Sequence, residues 1–549
     1  MSSKIHNRFV WVISLIIAMM PSVAMSQEDV AVEDSFESQV IQLQSASYSE
    51  KKGLIKKISK FEDPRKLKLL TTMMKGKLYF RKSDKRIVYR TPEQEQYRIT
   101  DALSDEDLGL VASSKIKKVR VNNSLRILLR TITSKLSLTD ADAEVRLTAV
   151  NNILNNINQK NISLLQEHLK TEKDSDIQEA IATGVALLDV LSDDKATKLQ
   201  AITVLSESLQ PIAKVRLSDI IEKNEAGDYV EQDAEIRKAA HKGLENIESK
   251  LSVFSFLETL FFGVSLGSVL LLIAIGLAIT FGVMGVINMA HGELMMLGAY
   301  TTYLVQQAMP GFIEYSLLVS VPAAFVVSGL FGVAIERGVI RHLYGRPLET
   351  LLATFGISLI LQQLVRTAIS AQNVAVQTPS WMSGSLQINE VFSLTYTRLY
   401  VIVFSIIVFL ILLMILKKTV LGLQVRAVSQ NRAMAKAMGI RSEWVDALTF
   451  GLGSGVAGVA GVALSQLTNV GPNLGQTYII DSFMVVVFGG VGNLWGTFVS
   501  AMSLGVFNKF IEPATGAVLA KVLVLVLIIL FIQKRPRGLF PQKGRAVEH

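Results

Sequence analysis

Phe281-Gly282-Val-Met-Gly285-Val-Ile-Asn288-Met-Ala-His291-Gly292-Glu293-Leu-Met-Met-Leu297-Gly298-Ala-Tyr300 is the stretch on which the fold turns. It closes one apolar run, at 260–287, and opens another, at 290–308, with glycines and three polar side chains where they meet. An unpaired polar atom at membrane depth costs several kcal/mol, so polar and ionisable residues inside spans mark function by default. Asn288, His291 and Glu293 are therefore candidates for a path through the bilayer. The same residues also suit helix ends, Asn288 and His291 as caps and Glu293 as an acid at a helix start.

Shifted by 207 positions, the stretch meets Phe488, Gly489, Gly492, Met502, Leu504, Gly505 and Phe507. Paired, Gly-interrupted segments in corresponding halves of a chain point to where a solute crosses. Shared Gly-rich membrane composition is the competing explanation. On the first reading Asn493, which ends Gly489-Gly490-Val491-Gly492-Asn493, joins the candidate path.

Composition breaks near Ser252. Of 56 Lys and Arg and 47 Asp and Glu, 18 and 11 fall in 251–549, against 38 and 36 before it. Charged residues drop from about 30% to about 10%, the contrast between water-facing and lipid-facing chain. The net charge of +9 lies mostly in a few loops of the second part, which argues for membrane orientation and against nucleic-acid binding. There is no cysteine, so disulfides, thiol chemistry and Cys-containing metal sites are excluded. No motif implies a cofactor.

Further apolar spans fall at 316–335, 350–371, 398–416, 445–467 and 516–532, making about eight spans plus broken, re-entrant segments. If the chain enters from outside, loop 336–348 lies inside with Arg337, Arg341 and Arg346. Loop 417–443, with Lys417, Lys418, Arg426, Arg432, Lys436 and Arg441, lies inside too. Both obey the positive-inside rule. Placing Lys534-Arg535-Pro536-Arg537 inside requires two short segments, Asp481–Gly489 and Gly496–Phe510, in place of one span. Such a break is tolerated where protein or a water-filled path covers the freed backbone. Gly451, Gly453, Gly455, Gly458 and Gly461 give another span a small-residue face for close packing.

Ahead of the membrane domain (255–535, with a cytoplasmic tail at 536–549), Lys4 and Arg8 precede an apolar run from Phe9 to Met20. Ala24-Met25-Ser26 follows with small residues at a cleavage position, the layout of a secretory signal peptide over 1–26. An uncleaved anchor is the alternative, and either exports residues 27–250. That region reads as all-helical, being poor in Gly and Pro with short apolar-periodic stretches. Asp142-Ala-Glu-Val145-Arg146 recurs as Asp174-Ser-Asp-Ile177-Gln178 and as Asp233-Ala-Glu-Ile236-Arg237. The spacings of 32 and 59 residues resemble degenerate HEAT repeats, whose helix pairs stack because one pair cannot bury its apolar face alone. An irregular helical bundle with an Asp cap before each helix is the alternative. The fold class expected is thus all-α: a polytopic helical membrane domain preceded by a soluble helical domain.

Gly285 to Tyr300 resembles the signature of branched-chain amino acid and urea ABC permeases, as does Arg535-Pro-Arg-Gly-Leu-Phe540. Leu343-Tyr-Gly-Arg-Pro-Leu-Glu-Thr350, Gln430-Asn-Arg-Ala-Met434, Asn469-Val-Gly-Pro472 and Asp481-Ser-Phe-Met-Val485 resemble the urea branch in particular. A long exported extension resembles that branch as well. The resemblance covers 255–545 and implies ATP-driven uptake across a bacterial inner membrane. It also implies partners: a second permease subunit, two cytoplasmic ATPase subunits and a periplasmic substrate-binding protein, with membrane lipid around them. No G-x-x-x-x-G-K-[ST] loop is present, so ATP hydrolysis belongs to another chain.

Within loop 417–443, Asn431 can cap a helix from Arg432 to Met438 that Gly439 ends. Such a helix resembles the coupling helix through which ABC permeases receive the ATPase stroke. Arg426, Arg432 and Lys436 are then expected to face the partner, and Met434 and Met438 to fill its groove. A basic loop on anionic lipid is the bland alternative. Glu293, Gln362 and Gln363 offer hydrogen-bonding groups to urea or to a short amide, whereas the apolar surfaces suit a branched-chain amino acid. A hydrolase is disfavoured: His291-Gly292-Glu293 is not H-E-x-x-H, and no Gly-x-Ser-x-Gly elbow precedes a triad.

Overall fold

The computed structural model describes residues 35–93, 96–154, 159–389 and 391–540. The expected signal peptide at 1–26 and the end of the tail, 541–549, lie outside the described residues. The chain separates into two compact units at Ile247/Glu248.

The first unit opens with helices α1 (Phe36–Gln42), α2 (Tyr48–Ile58) and α3 (Arg65–Met74). Strands β1 (Leu78–Arg81), β2 (Ile87–Glu93), β3 (Gln96–Asp101), β4 (Asp107–Val111) and β5 (Ile116–Lys118) follow. They form an antiparallel sheet of order β4-β3-β2-β1-β5, so the all-helical expectation for 27–250 is corrected here. Leu78, Phe80 and Ile87 face the α1–α3 core. Val88, Ile99 and Ile116 form a second small core on the opposite face, where Arg90 stacks between Tyr79 and Tyr97 at 4.1 and 4.2 Å. The period of two was hidden by the turns, which carry the left-handed positions on Lys85 (φ +62°) and Asp105 (φ +54°). A search for Gly and Pro passes over such turns.

Helices α4 (Asn123–Ser137), α5 (Ala143–Leu154), α6 (Gln159–Leu169), α7 (Ser175–Asp189), α8 (Lys195–Glu207) and α9 (Pro211–Ile221) complete the unit. The sequence recurrence is a recurring cap. The amide N–H groups of Asp142, Asp174 and Asp233 donate to the acids two residues earlier, Asp140, Glu172 and Glu231. Each capping Asp accepts from the amide two residues on. Arg146, Gln178 and Arg237 each reach back to a carbonyl six residues upstream. The third copy starts α10 (Ala234–Met284), a helix of 51 residues that continues into the second unit.

That unit adds α11 (His291–Ala308), α12 (Ile313–Gly338), α13 (Pro347–Ala368), a small hairpin of β6 (Ser385–Gln387) and β7 (Ser393–Thr395), and α14 (Tyr396–Lys418). It ends with α15 (Val420–Gln430), α16 (Arg432–Ala437), α17 (Ser442–Ser465), α18 (Leu474–Gly489), α19 (Leu494–Thr515) and α20 (Ala517–Lys534). Among the described residues six helices, α10, α12, α13, α14, α17 and α20, are long and apolar enough to cross a membrane. Of the expected crossings, the one at 290–308 and the pair within 480–511 are not among them. Glu293, glycines and a Thr- and Gln-containing end dilute α11, and α18 has 16 residues, about 24 Å of helix.

Helix α17 is buried along nearly its whole length. A methyl group added at Gly453 meets the Gly276 carbonyl, and one at Gly458 meets the Ala324 carbonyl and Ser328. Added at Gly461, it meets the backbone of Met295 and Ala299. The glycine face therefore lets the backbones of α10, α11 and α12 approach α17 closely.

Candidate functional site

Helix α10 stops at Met284 because Gly285 turns left-handed (φ +67°), and α11 starts at His291. Within the break the Asn288 side-chain oxygen accepts the Ala290 amide at 3.0 Å. His291 Nε2 lies 2.9 Å from the Ile273 carbonyl, so that nitrogen carries the hydrogen. Glu293 Oε1 accepts from Gln362 Nε2 at 2.7 Å and from the Ser358 hydroxyl at 3.1 Å. All four polar residues of the sequence-derived set in this region, Asn288, His291, Glu293 and Gln362, are buried.

Helix α13 supplies the other wall. Thr350, Thr354, Ser358 and Gln362 stand four apart and are all buried, so they form one polar stripe. Thr354 accepts the Met289 amide at 3.2 Å, and its hydroxyl lies 3.4 Å from the Ile287 carbonyl. The stripe thus satisfies backbone that the break leaves free. Thr354 and Ser358 escaped the sequence reading, although the i, i+4 spacing of small polar residues in an apolar helix was there to find.

Three buried atoms of the break have no hydrogen-bond partner: the Asn288 amide nitrogen, His291 Nδ1 and Glu293 Oε2. Buried polar atoms are almost always paired, so an unpartnered donor and two unpartnered acceptors within six residues mark the break as the candidate polar site. Gly475, the second residue of α18, closes the site: a methyl group there meets the Gly292 carbonyl and Glu293 Oε2.

Two expected site residues lie elsewhere. Gln363 is exposed and reaches only Thr367, at 3.5 Å. Asn493 caps α19 through the Gly496 amide at 3.1 Å and donates to the Phe540 carbonyl at 3.2 Å, so its side chain is spent on structure. The second break, with Gly490 at φ +100° and Gly492 at φ +79°, still comes against the first, because a methyl group at Gly282 meets Gly492 Cα.

At the other end of α17, Asn431 caps α16 by accepting the Met434 amide at 2.9 Å. Gly439 follows at φ +85°. Met434 and Met438 are 60% and 77% exposed, and Lys436 is exposed beside them. Arg426 turns back to the Leu416 carbonyl. Arg432 turns inward, where it forms a two-pronged ion pair with Asp446 at 2.7 and 2.8 Å. The expected outward face is therefore methionine and lysine without Arg432. No group of three or more His, Asp or Glu side chains among the described residues is placed to hold a metal ion.

A family model described as branched-chain amino acid transport system permease component matches residues 259–532, which include both breaks and α16. The chain is 31% identical over 296 residues to the high-affinity branched-chain amino acid transport system permease protein BraD of Pseudomonas aeruginosa, covering 52% of this chain and 96% of that protein. It is 32% identical over 294 residues to the corresponding LivH protein of Escherichia coli K12, covering 52% and 95%. It is 29% identical over 287 residues to the probable branched-chain amino acid transport permease protein LivH of Methanocaldococcus jannaschii, covering 50% and 88%. No solved structure gives a significant match.

Proposed function

The chain belongs to the branched-chain amino acid transport permease family, and on that premise we propose that it is the membrane subunit of an ATP-driven importer of urea. Membership makes it a transport subunit and not an enzyme. The likeness to the urea branch carries the substrate choice, and the buried break supports it. Glu293 is steadied by Gln362 and Ser358, and its Oε2 is without a hydrogen-bond partner, as are the Asn288 amide nitrogen and His291 Nδ1 of the same break. Urea has several N–H donors and one carbonyl acceptor and carries no charge, so it can engage acceptors and a donor without a counter-ion. The likeness to the urea branch lies in 343–350, 430–434, 469–472 and 481–485.

Alternating access would move the two breaks and α18 against α13 and α17. Two cytoplasmic ATPases, docking on Met434 and Met438, supply the energy. A second permease subunit completes the path, and a periplasmic binding protein delivers the solute. Residues 27–250 lie on the periplasmic side, where the recurring caps suit a stacked helical array, and the C-terminus is cytoplasmic in a bacterial inner membrane. A second reading, a branched-chain amino acid as substrate, is favoured by the relatives' names over nearly their full lengths.

Uptake of labelled urea and labelled leucine at limiting concentration, in a strain lacking the gene and in the complemented strain, tests the proposal. Urea uptake lost with the gene and leucine uptake retained is the expected result. Retained urea uptake with lost leucine uptake overturns urea in favour of the second reading.

A further inference from the structure

We propose that the Arg432–Asp446 pair is the mechanical link that carries movement of α16 to the helix break at 285–290. The inference rests on the importer reading and adds positioning residues to it. The two guanidinium prongs each donate to one carboxylate oxygen, at 2.7 and 2.8 Å, and the Asp446 side chain is 5% exposed. A planar two-pronged pair fixes orientation as well as distance, which a single point contact does not. The far side of the Arg432 guanidinium lies over the Tyr344 ring at 4.0 Å. Below it, Ala435 packs with Val425, Val428 and Val445 in a small apolar cluster. Helix α16 is thus fastened to the first turn of α17 on two sides, while Met434 and Met438 stay exposed.

Further along α17, at Gly453, Gly458 and Gly461, its backbone meets that of the helices flanking the break. An added methyl at Gly276 meets the Gly453 carbonyl and His291 Cε1, and one at Gly298 meets Gly458. Close-packed interiors are poorly compressible and transmit displacement. A push on α16 therefore reaches α10 just before the break and α11 just after it. Glu336, a buried carboxylate, lies within electrostatic reach of Asp446 but carries its own ion-pair partner, Arg337 Nε at 3.8 Å, so Arg432 is left to Asp446.

The test uses the assembled transporter in proteoliposomes, with wild type, Arg432→Lys, Asp446→Asn and the double variant. Three quantities are read: ATPase subunits retained on purification, ATP hydrolysed, and solute taken up per ATP. Arg432→Lys keeps the charge and loses the fork and the ring contact. Both single variants are expected to keep the ATPases and their hydrolysis while uptake per ATP falls about tenfold, a modest coupling free energy. The double variant is expected to lose no more than either single, as residues acting through one contact do. Unchanged uptake per ATP, or losses that add in the double variant, overturns the link. So does loss of ATPase subunits in step with uptake, because the pair would then be part of the docking surface. If Asp446→Asn fails to accumulate in membranes, Arg432→Lys decides alone. A wild-type assembly that neither hydrolyses ATP nor moves solute would instead refute the importer reading.

Discussion

Glu293 and Gln362 are 69 residues apart in sequence, and the Gln362 amide donates to Glu293 Oε1 at 2.7 Å inside the buried break. The geometry divides the carboxylate, with one oxygen hydrogen-bonded by the protein and the other buried without a hydrogen-bond partner. Glu293→Gln preserves shape and volume but replaces one acceptor oxygen with a donor. A hydrogen bond to a charged group is worth about 1.5–3 kcal/mol, so uptake should fall roughly 10- to 100-fold with membrane abundance unchanged. Quantitative uptake beside an immunoblot of the membrane fraction measures both. Wild-type uptake in this variant would remove Glu293 from the path.

Gly298 and Gly461 predict a different phenotype, one of packing. Side chains there run into the backbone of Gly458 and of Met295 with Ala299, so relief requires the helices to separate. Gly298→Val and Gly461→Val should each cost about 1–3 kcal/mol or more and lower the thermal midpoint of the purified chain in detergent. Gly356→Ala is the control, because a methyl group there meets nothing within 4 Å. Equal behaviour of all three would show that the glycine face is not under packing constraint.

The second unit was largely legible because its signals are local. The break at 285–290 follows from glycines and polar residues placed between apolar runs, and α16 from a capping Asn and a terminating Gly eight residues later. What the sequence hid depends on partners distant in the chain. Arg432 looks like a free cation until α17 brings Asp446 to it. Gln363 and Gln362 are equivalent in sequence, and only the facing of α13 separates the exposed one from the buried one. Asn493 reads like Asn288 until Phe540 occupies its amide. In the first unit the sheet was missed because Lys85 and Asp105 make the turns usually left to glycine.

Acid should loosen the joint between α5 and α7. Arg146 donates to both oxygens of Glu172 at 2.9 and 3.0 Å, and the Asp174 and Lys173 amides and His168 add further bonds. The Arg146 hydrogen bonds, ahead of every other cause, hold the Glu172 carboxyl down from 4.5 to about 2. A lowered pKa means the folded state favours the ionised form, so the stabilisation is complete above about pH 4.5 and lost as pH falls toward 2. The most it can contribute is about 3 kcal/mol. Hydrogen exchange of the α5–α7 amides should stay flat from neutral pH to about 5, after correction for intrinsic rates, and rise below that. Glu172→Gln should show a raised rate throughout and no acid step, and an unchanged step in that variant would assign it to another group.

Gly439 separates two roles for the segment after α16. Its φ of +85° is a conformation that costs a β-branched residue about 1–3 kcal/mol, and open space surrounds it. Gly439→Val therefore acts on the backbone direction after α16 without a steric clash. If α16 receives the ATPase stroke, redirecting its exit should leave ATP hydrolysis running while uptake falls severalfold. If the segment only holds a basic loop to anionic lipid, the same variant should hydrolyse and transport like wild type, since no charge has been removed. Parallel ATPase and uptake measurements on one reconstituted preparation distinguish the two, and normal coupling would count against α16 as the point of energy entry.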